Sequence, residues 1–143
     1  MEFWLLLTFA FTAFNTGLIW VIQVVHYPSF LHIDEARYEA FQKFHMKGIT
    51  MIVLPSMAVE LVSSGVLLLY WDQLPSLLVY IASVVLLGLI WLHTAFLASP
   101  IHVQLSKVYL LENIQKLIRI NWWRTIIWSV RAVLVGYLLW LAL

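Results

Sequence analysis

Four long apolar stretches determine what this chain can fold into. They cover residues 3–25, 48–70, 76–98 and 122–143, and each is close to the ~20 residues that a helix needs to cross the hydrocarbon core of a bilayer. Too few residues remain between them for a soluble domain. The pattern predicts an all-α fold with one integral membrane domain, in which four transmembrane helices form an up-down bundle.

The composition narrows the chemistry that such a bundle can carry. Hydrophobic residues make up 64% of the chain and charged residues 10%, which is too little polar surface for a soluble protein. The chain has no cysteine, so a metal ion would need histidine or carboxylate ligands, or a porphyrin. It also lacks a phosphate-cradling glycine loop, which argues against nucleotide hydrolysis. The net charge of +1 gives no reason to expect nucleic acid as a partner.

The basic residues lie on one side of the predicted bundle. The connection at residues 71–75 is short, whereas those around residues 26–47 and 99–121 are longer and polar, and up-down connectivity puts both longer connections on the same side. All eight Lys and Arg residues belong to that side, although Arg131 lies within the fourth span. The positive-inside rule therefore predicts that this side faces the cytoplasm and that both termini lie outside. Membrane lipids are the first expected partners.

The two longer connections each contain an amphipathic pattern. In residues 34–46, Tyr38, Phe41 and Phe44 recur at helical spacing opposite charged residues, which predicts a helix that lies on the membrane or continues into the second span. In the second connection, Ser99 and Pro100 favour a helix start, and an apolar stripe follows over residues 110–118. We therefore expect two amphipathic segments on the cytoplasmic side of the bundle.

A deep polar layer is predicted near the middle of the membrane. Asn15, Glu60 and Arg131 lie about 15–18 Å from the inner boundary, taking ~1.5 Å of rise per helical residue. Opposite charges at matching depth predict a Glu60–Arg131 ion pair, joined by Asn15, because an unpaired charge there is costly. The pair is either a buried clamp that fixes helix register or a catalytic pair that lines a substrate or proton path or orients a cofactor.

A shallower layer of four histidines predicts a metal or cofactor site. Its members are His26, His45, His93 and His102. Imidazole is a good ligand for iron, copper, zinc or heme iron, and a bundle builds such sites from facing helices. His45 lies about 22 Å along the helix from Glu60, so the two cannot share a metal. A graded site, with His26 and His93 shallow and the Glu60–Arg131 pair beneath, is favoured over a ring of all four histidines. The alternative is that each histidine is an interfacial side chain that binds a carbonyl or lipid headgroup. His32 lies in the connection and is expected to be a surface residue.

The segment Asn121-Trp122-Trp123-Arg124 opens the fourth span. Asn121 suits a helix N-cap, the tryptophans suit membrane anchors, and Arg124 suits contact with phosphate headgroups. Alternatively, Asn121 and Arg124 bind a cofactor, with Arg124 acting as a clamp for an anionic substrate or a heme propionate.

Several short motifs resemble a group of small, uncharacterised bacterial membrane proteins with four helices. The motifs are Val25-His26-Tyr27-Pro28, Phe44-His45, Pro55 with Glu60, Ser99-Pro100-Ile101-His102, and Asn121 to Thr125 with Arg131. The resemblance implies the same bundle in a bacterial inner membrane, but no established reaction. A looser similarity to anthrone-oxygenase-like membrane proteins implies oxidation of an aromatic or lipophilic substrate.

Three classes of function follow. The leading hypothesis is a metal- or heme-dependent membrane oxidoreductase that acts on a lipophilic small molecule entering from the bilayer. The second is a small proton, ion or solute transporter, which would have to be a homo-oligomer because four helices leave little room for a pore. The third is a non-enzymatic membrane subunit whose polar cluster only fixes packing.

Overall fold

The computed structural model describes all 143 residues and contains helices but no strands. Four long helices follow one another as α1 (Glu2–His32), α2 (Glu35–Tyr70), α3 (Leu77–Leu105) and α4 (Leu111–Ala142). All four are long and apolar enough to cross a membrane. The predicted all-α, four-helix architecture is therefore confirmed.

Side-chain contacts give the direction of each helix. Thr8 near the start of α1 donates to Ser63 near the end of α2, whereas His26 late in α1 contacts His45 early in α2. Asn113 at the start of α4 donates to Gln104 at the end of α3. Consecutive helices therefore run antiparallel, as the up-down prediction requires. We call the end that holds the links at residues 33–34 and 106–110 the basic end, because the exposed Lys and Arg residues lie there, on the helices or in the second link.

The helices are longer than the predicted spans, and the amphipathic segments are continuous with them. Residues 35–47 form the first part of α2, and the second segment is divided between the end of α3 and the start of α4. Their apolar residues pack into the bundle, since Tyr38, Leu105, Ile114 and Leu117 are fully buried. Phe44 is 78% exposed instead, while Gln42 and His45 take the buried face. Burial in a shared core extends these helices beyond what local apolar length predicts.

Two predicted helix starts are wrong. Ser99 lies inside the continuous helix α3, and Asn121 lies inside α4, well after its start at Leu111. The buried Asn121 side chain bonds to a neighbouring helix rather than to the backbone amides of a first turn. A polar residue before an apolar run resembles an N-cap in sequence, but here tertiary hydrogen bonding uses its side chain.

Helices α2 and α3 are held together at both ends and parted between them. Helix α1 packs along α4 and α2, and α3 packs along α4. Helices α2 and α3 are tied together near the end opposite the basic end, where the Tyr80 hydroxyl donates to the Ser64 carbonyl at 2.6 Å. At the basic end Gln42 of α2 lies 3.0 Å from His102 of α3, and a cavity separates the two helices between these contacts. The same region contains two π-helical turns, Ile22–His26 in α1 and Thr94–Ala98 in α3. Such turns often occur at functional sites.

Candidate functional site

The deep polar layer is centred on Glu60, which is fully buried. One carboxylate oxygen accepts from Thr12 Oγ1 at 2.8 Å and from Arg131 Nε at 2.9 Å. The other accepts from Asn15 Nδ2 at 2.8 Å and from Trp128 Nε1 at 3.3 Å. The predicted Glu60–Arg131 ion pair, including its link to Asn15, is confirmed.

Arg131 completes the network and connects it to every helix. Its Nη1 donates to the Ser83 carbonyl of α3, and its Nη2 donates to Ser64 Oγ of α2 at 2.7 Å. Asn15 in turn accepts from Ser56 Oγ at 2.6 Å. The guanidinium and the carboxylate thus have partners on all sides, an arrangement that suits a structural clamp. The catalytic role of Glu60 and Arg131 stays a prediction.

Three of the four predicted histidines meet at the basic end. His26 Nε2 lies 2.7 Å from His45 Nδ1, and the ring centroids of His45 and His102 are 5.4 Å apart. Both nitrogens of His102 have partners: Nε2 lies 2.9 Å from the Tyr27 hydroxyl, and Nδ1 lies 3.0 Å from Gln42 Nε2. We call these five side chains the histidine cluster. It joins α1, α2 and α3 through hydrogen bonds and ring contacts.

His93 does not belong to this cluster. Its side chain is buried in a separate apolar groove that Phe96 and Trp123 also line, and it neither hydrogen-bonds nor stacks with the other histidines. The four residues predicted as metal ligands therefore do not converge, and neither the ring nor the graded arrangement forms. His32 is exposed, as predicted.

The histidine cluster has little free coordinating capacity. No group of three or more His, Asp and Glu side chains is arranged to hold a metal ion. His26 and His45 face each other at 2.7 Å, whereas two nitrogens on a tetrahedral metal with ~2.0 Å bonds lie about 3.3 Å apart. Among the buried imidazole nitrogens of the cluster, the one without a partner is Nε2 of His45. A site with several histidine ligands would need these side chains to rotate, and the metal prediction stays untested.

A cavity of about 230 Å³ lies beside the cluster, between α2 and α3. Most of its lining is apolar and comes from residues 46–57 of α2 and 91–99 of α3. Tyr27, His102 and Arg124 contribute polar groups to its wall. Its mouth carries exposed residues of both helices, including Leu54, which is 53% exposed. The cavity therefore opens on the side of the bundle, at a face that would contact lipid.

Arg124 is buried beside this cavity and is 5% exposed. Its Nη1 donates to Asn121 Oδ1 at 3.3 Å, its guanidinium lies 5.4 Å from the centre of the Trp128 ring, and its Nε has no partner. Asn121 is fully buried and donates to Gln23 Oε1 at 2.8 Å. Of the two residues predicted to bind a cofactor, Arg124 thus lines the cavity. Asn121 does not line it, but its side chain accepts a hydrogen bond from Arg124.

The sequence interpretation did not assign a site role to Tyr27, Gln42 or Trp91. Tyr27 is 3% exposed and bonded to His102. Gln42 falls between Tyr38 and His45 at the i, i+4 and i+3 spacing of one helix face, a signal that could have indicated its burial. Trp91 lines the cavity with its indole N–H unpartnered, which no local pattern predicts.

Comparisons with protein families, curated proteins and solved structures find no match to this chain. The resemblances noted in its motifs stay predictions, and the proposals that follow depend on the geometry of the site.

Proposed function

We propose that the chain is an integral membrane enzyme that acts on a lipophilic small molecule bound between α2 and α3. The observation that carries this proposal is the lateral cavity at the basic end, which has an apolar wall and places Tyr27, His102 and Arg124 on its surface. Binding sites for small molecules usually combine an apolar lining with a few placed polar groups. A molecule dissolved in the bilayer could enter through the parted helices without crossing water.

Tyr27 and His102 are the groups in the wall that could exchange a proton with a bound molecule. Their direct hydrogen bond and the contact between Gln42 and His102 Nδ1 fix the imidazole ring. Positioned groups of this kind contribute to catalysis when the reacting atom lies within hydrogen-bonding reach. The closed Glu60–Arg131 network lies deeper and would hold the helices that form the site.

Filling the cavity tests the proposal. Ala98 lies in the cavity wall and is 2% exposed, so we expect Ala98→Trp to occupy the space that a substrate needs. Wild-type protein purified in mild detergent should retain a lipophilic compound in stoichiometric amounts, measured by mass spectrometry of the extracted protein. The Ala98→Trp variant should retain at least ten times less. Ala95→Trp, an exposed change one turn earlier on α3, is the matched control. Equal retention in all three proteins would contradict the proposal.

The oxidoreductase form of this proposal needs a metal ion or heme. It is supported by three imidazoles in close contact and by His45 Nε2, which could coordinate without losing a hydrogen bond. Bound there, iron, copper or heme would exchange electrons with the substrate. Elemental analysis and visible absorption of the purified protein test this form. Metal or heme that is lost in His45→Ala would support it, whereas a colourless, metal-free protein that turns over its substrate would contradict it.

We further propose that the basic end faces the cytoplasm of a bacterial cell and that both termini lie outside. The support is the excess of exposed Lys and Arg at that end, as the positive-inside rule requires. The chain has no cysteine, so single cysteines can report orientation. In intact cells, we expect an impermeant thiol reagent to label Gln73→Cys in the α2–α3 link and not Lys107→Cys in the α3–α4 link. The opposite labelling would invert the proposed topology.

A further inference from the structure

The buried charges of this protein do not balance. Of its fifteen Lys, Arg, Asp and Glu residues, only Glu60, Arg124 and Arg131 are buried. Glu60 and Arg131 neutralise each other, and no carboxylate lies within salt-bridge distance of Arg124. A buried charge without a counter-charge is strongly unfavourable, and more so in a membrane. The site around Arg124 is therefore electrostatically incomplete.

The groups near Arg124 suit an anion rather than a cation. Arg124 Nε and the Trp91 indole nitrogen are both buried N–H donors without partners, and both residues line the lateral cavity. Neither group can accept a hydrogen bond. The cavity wall contains no Asp or Glu, and the Tyr27 hydroxyl that lies near Arg124 supplies no negative charge. A carboxylate or phosphate oxygen would supply the missing acceptor and the missing charge together.

Arg124 is also held in position before any ligand binds. Asn121 accepts from its Nη1, Asn121 is fixed in turn by Gln23 of α1, and the guanidinium lies over Trp128. A guanidinium fixed in this way presents its remaining donors in one direction, which reduces the entropy lost on binding. This geometry differs from that of an exposed arginine that reaches for lipid headgroups, as Arg119 could on the same helix.

We propose that the ligand of the lateral cavity is a lipophilic anion whose carboxylate or phosphate head binds Arg124. Its apolar part would contact Ile49, Val53 and Met57 of α2 and leave through the mouth towards the bilayer. This inference rests on the proposed function, since it names the class of molecule that fills the cavity. It adds that charge at the head, and not apolar character alone, selects the ligand.

The test compares four probes that differ in one property at a time. Dodecanoate and dodecyl phosphate carry an anionic head, dodecanol has the same chain without charge, and inorganic phosphate has the charge without the chain. Binding to the full chain in non-ionic detergent is measured by calorimetry. We expect the two anionic amphiphiles to bind at least tenfold more tightly than dodecanol, and inorganic phosphate to bind far more weakly than dodecyl phosphate.

The variant Arg124→Gln should weaken the binding of both anionic amphiphiles by about 10- to 100-fold, the loss expected for a charged hydrogen bond, and leave dodecanol unchanged. Arg119→Gln, an exposed arginine on α4, is the matched control and should change nothing. Should Arg124→Gln fail to fold, the order of the four probes on the wild-type protein still decides the question.

Three other results would contradict the anion proposal, its lipophilic part or the proposed function. If dodecanol binds as tightly as dodecanoate and Ala98→Trp blocks both, the cavity binds lipophiles without charge selection, so the anion proposal is wrong and the proposed function stands. If inorganic phosphate binds as well as dodecyl phosphate, the ligand is a free anion, and the lipophilic part of the proposal is wrong. If no amphiphile binds in a way that Ala98→Trp prevents, the proposed function fails as well.

Discussion

Replacement of Glu60 by glutamine should lower the free energy of unfolding by about 3–5 kcal/mol, the cost of breaking a buried ion pair by removing one charge. The four groups that bond to this carboxylate come from Thr12, Asn15, Trp128 and Arg131, and all four donate. A glutamine side chain has one acceptor oxygen where the carboxylate has two. Its NH₂ group would replace the other oxygen and face two N–H or O–H donors, with which it cannot form hydrogen bonds. The change therefore leaves Arg131 buried without a counter-charge and at least one further donor unpaired.

Unfolding by titration with sodium dodecyl sulfate in mixed micelles, followed by circular dichroism, measures this effect. Glu112→Gln makes the same chemical change at an exposed position of α4 and should alter stability by less than about 0.5 kcal/mol. A Glu60→Gln protein that is as stable as the wild type would show that the network is not a clamp. If the variant keeps its stability but loses turnover of the retained lipophile, the pair acts in catalysis, as the alternative hypothesis holds.

The second large effect is expected at His102. The change His102→Leu should reduce turnover by about 10²- to 10⁴-fold, the range that a positioned proton-transfer group contributes. It removes the group that lies within hydrogen-bonding distance of both Tyr27 and Gln42. The two partners lose their contacts inside the bundle, which should also cost about 1–3 kcal/mol of stability for each unpaired group.

Two further variants separate the catalytic effect from the structural one. Tyr27→Phe keeps the ring and its packing but removes the hydroxyl that contacts His102, so we expect a large loss of turnover with a smaller loss of stability. His32→Leu changes an exposed histidine at the same end and should change neither. The measurement is the conversion of the lipophile that copurifies with the wild-type protein. Normal turnover in His102→Leu would remove the histidine cluster from the proposed mechanism.

Much of the fold is predictable because membrane burial acts on local sequence. A run of about 20 apolar residues crosses a bilayer core whatever its neighbours are, so the four helices follow from composition. The ends of the helices do not follow in the same way. Leu105, Ile114 and Leu117 are buried against other helices, and this packing extends α3 and α4 past the limits of their apolar runs. The position of Asn121 inside α4 also depends on another helix, because its side chain donates to Gln23 on α1.

The sequence predicts how deep each residue of the candidate site lies in the bundle, but not the direction in which its side chain points. Helix rise places Glu60 and Arg131 at one level, and their opposite charges leave pairing as the favourable outcome. Depth does not say which way a side chain points, however. His93 lies near the level of the cavity but in a different groove. The sequence also does not show that Arg124 lacks a counter-charge. That follows only once the structure shows that Glu60, the one buried carboxylate, is paired with Arg131.

The position of a single bromine atom would show where the head of the ligand binds. The probe is 2-bromohexadecanoate, which carries the heavy atom next to its carboxylate and meets no reactive cysteine in this chain. In crystals of the complex, we expect one anomalous peak in the cavity between α2 and α3, beside Arg124 and close to Tyr27 and His102. A peak confined to the groove around His93, or no ordered bromine in a protein that binds the probe, would contradict it.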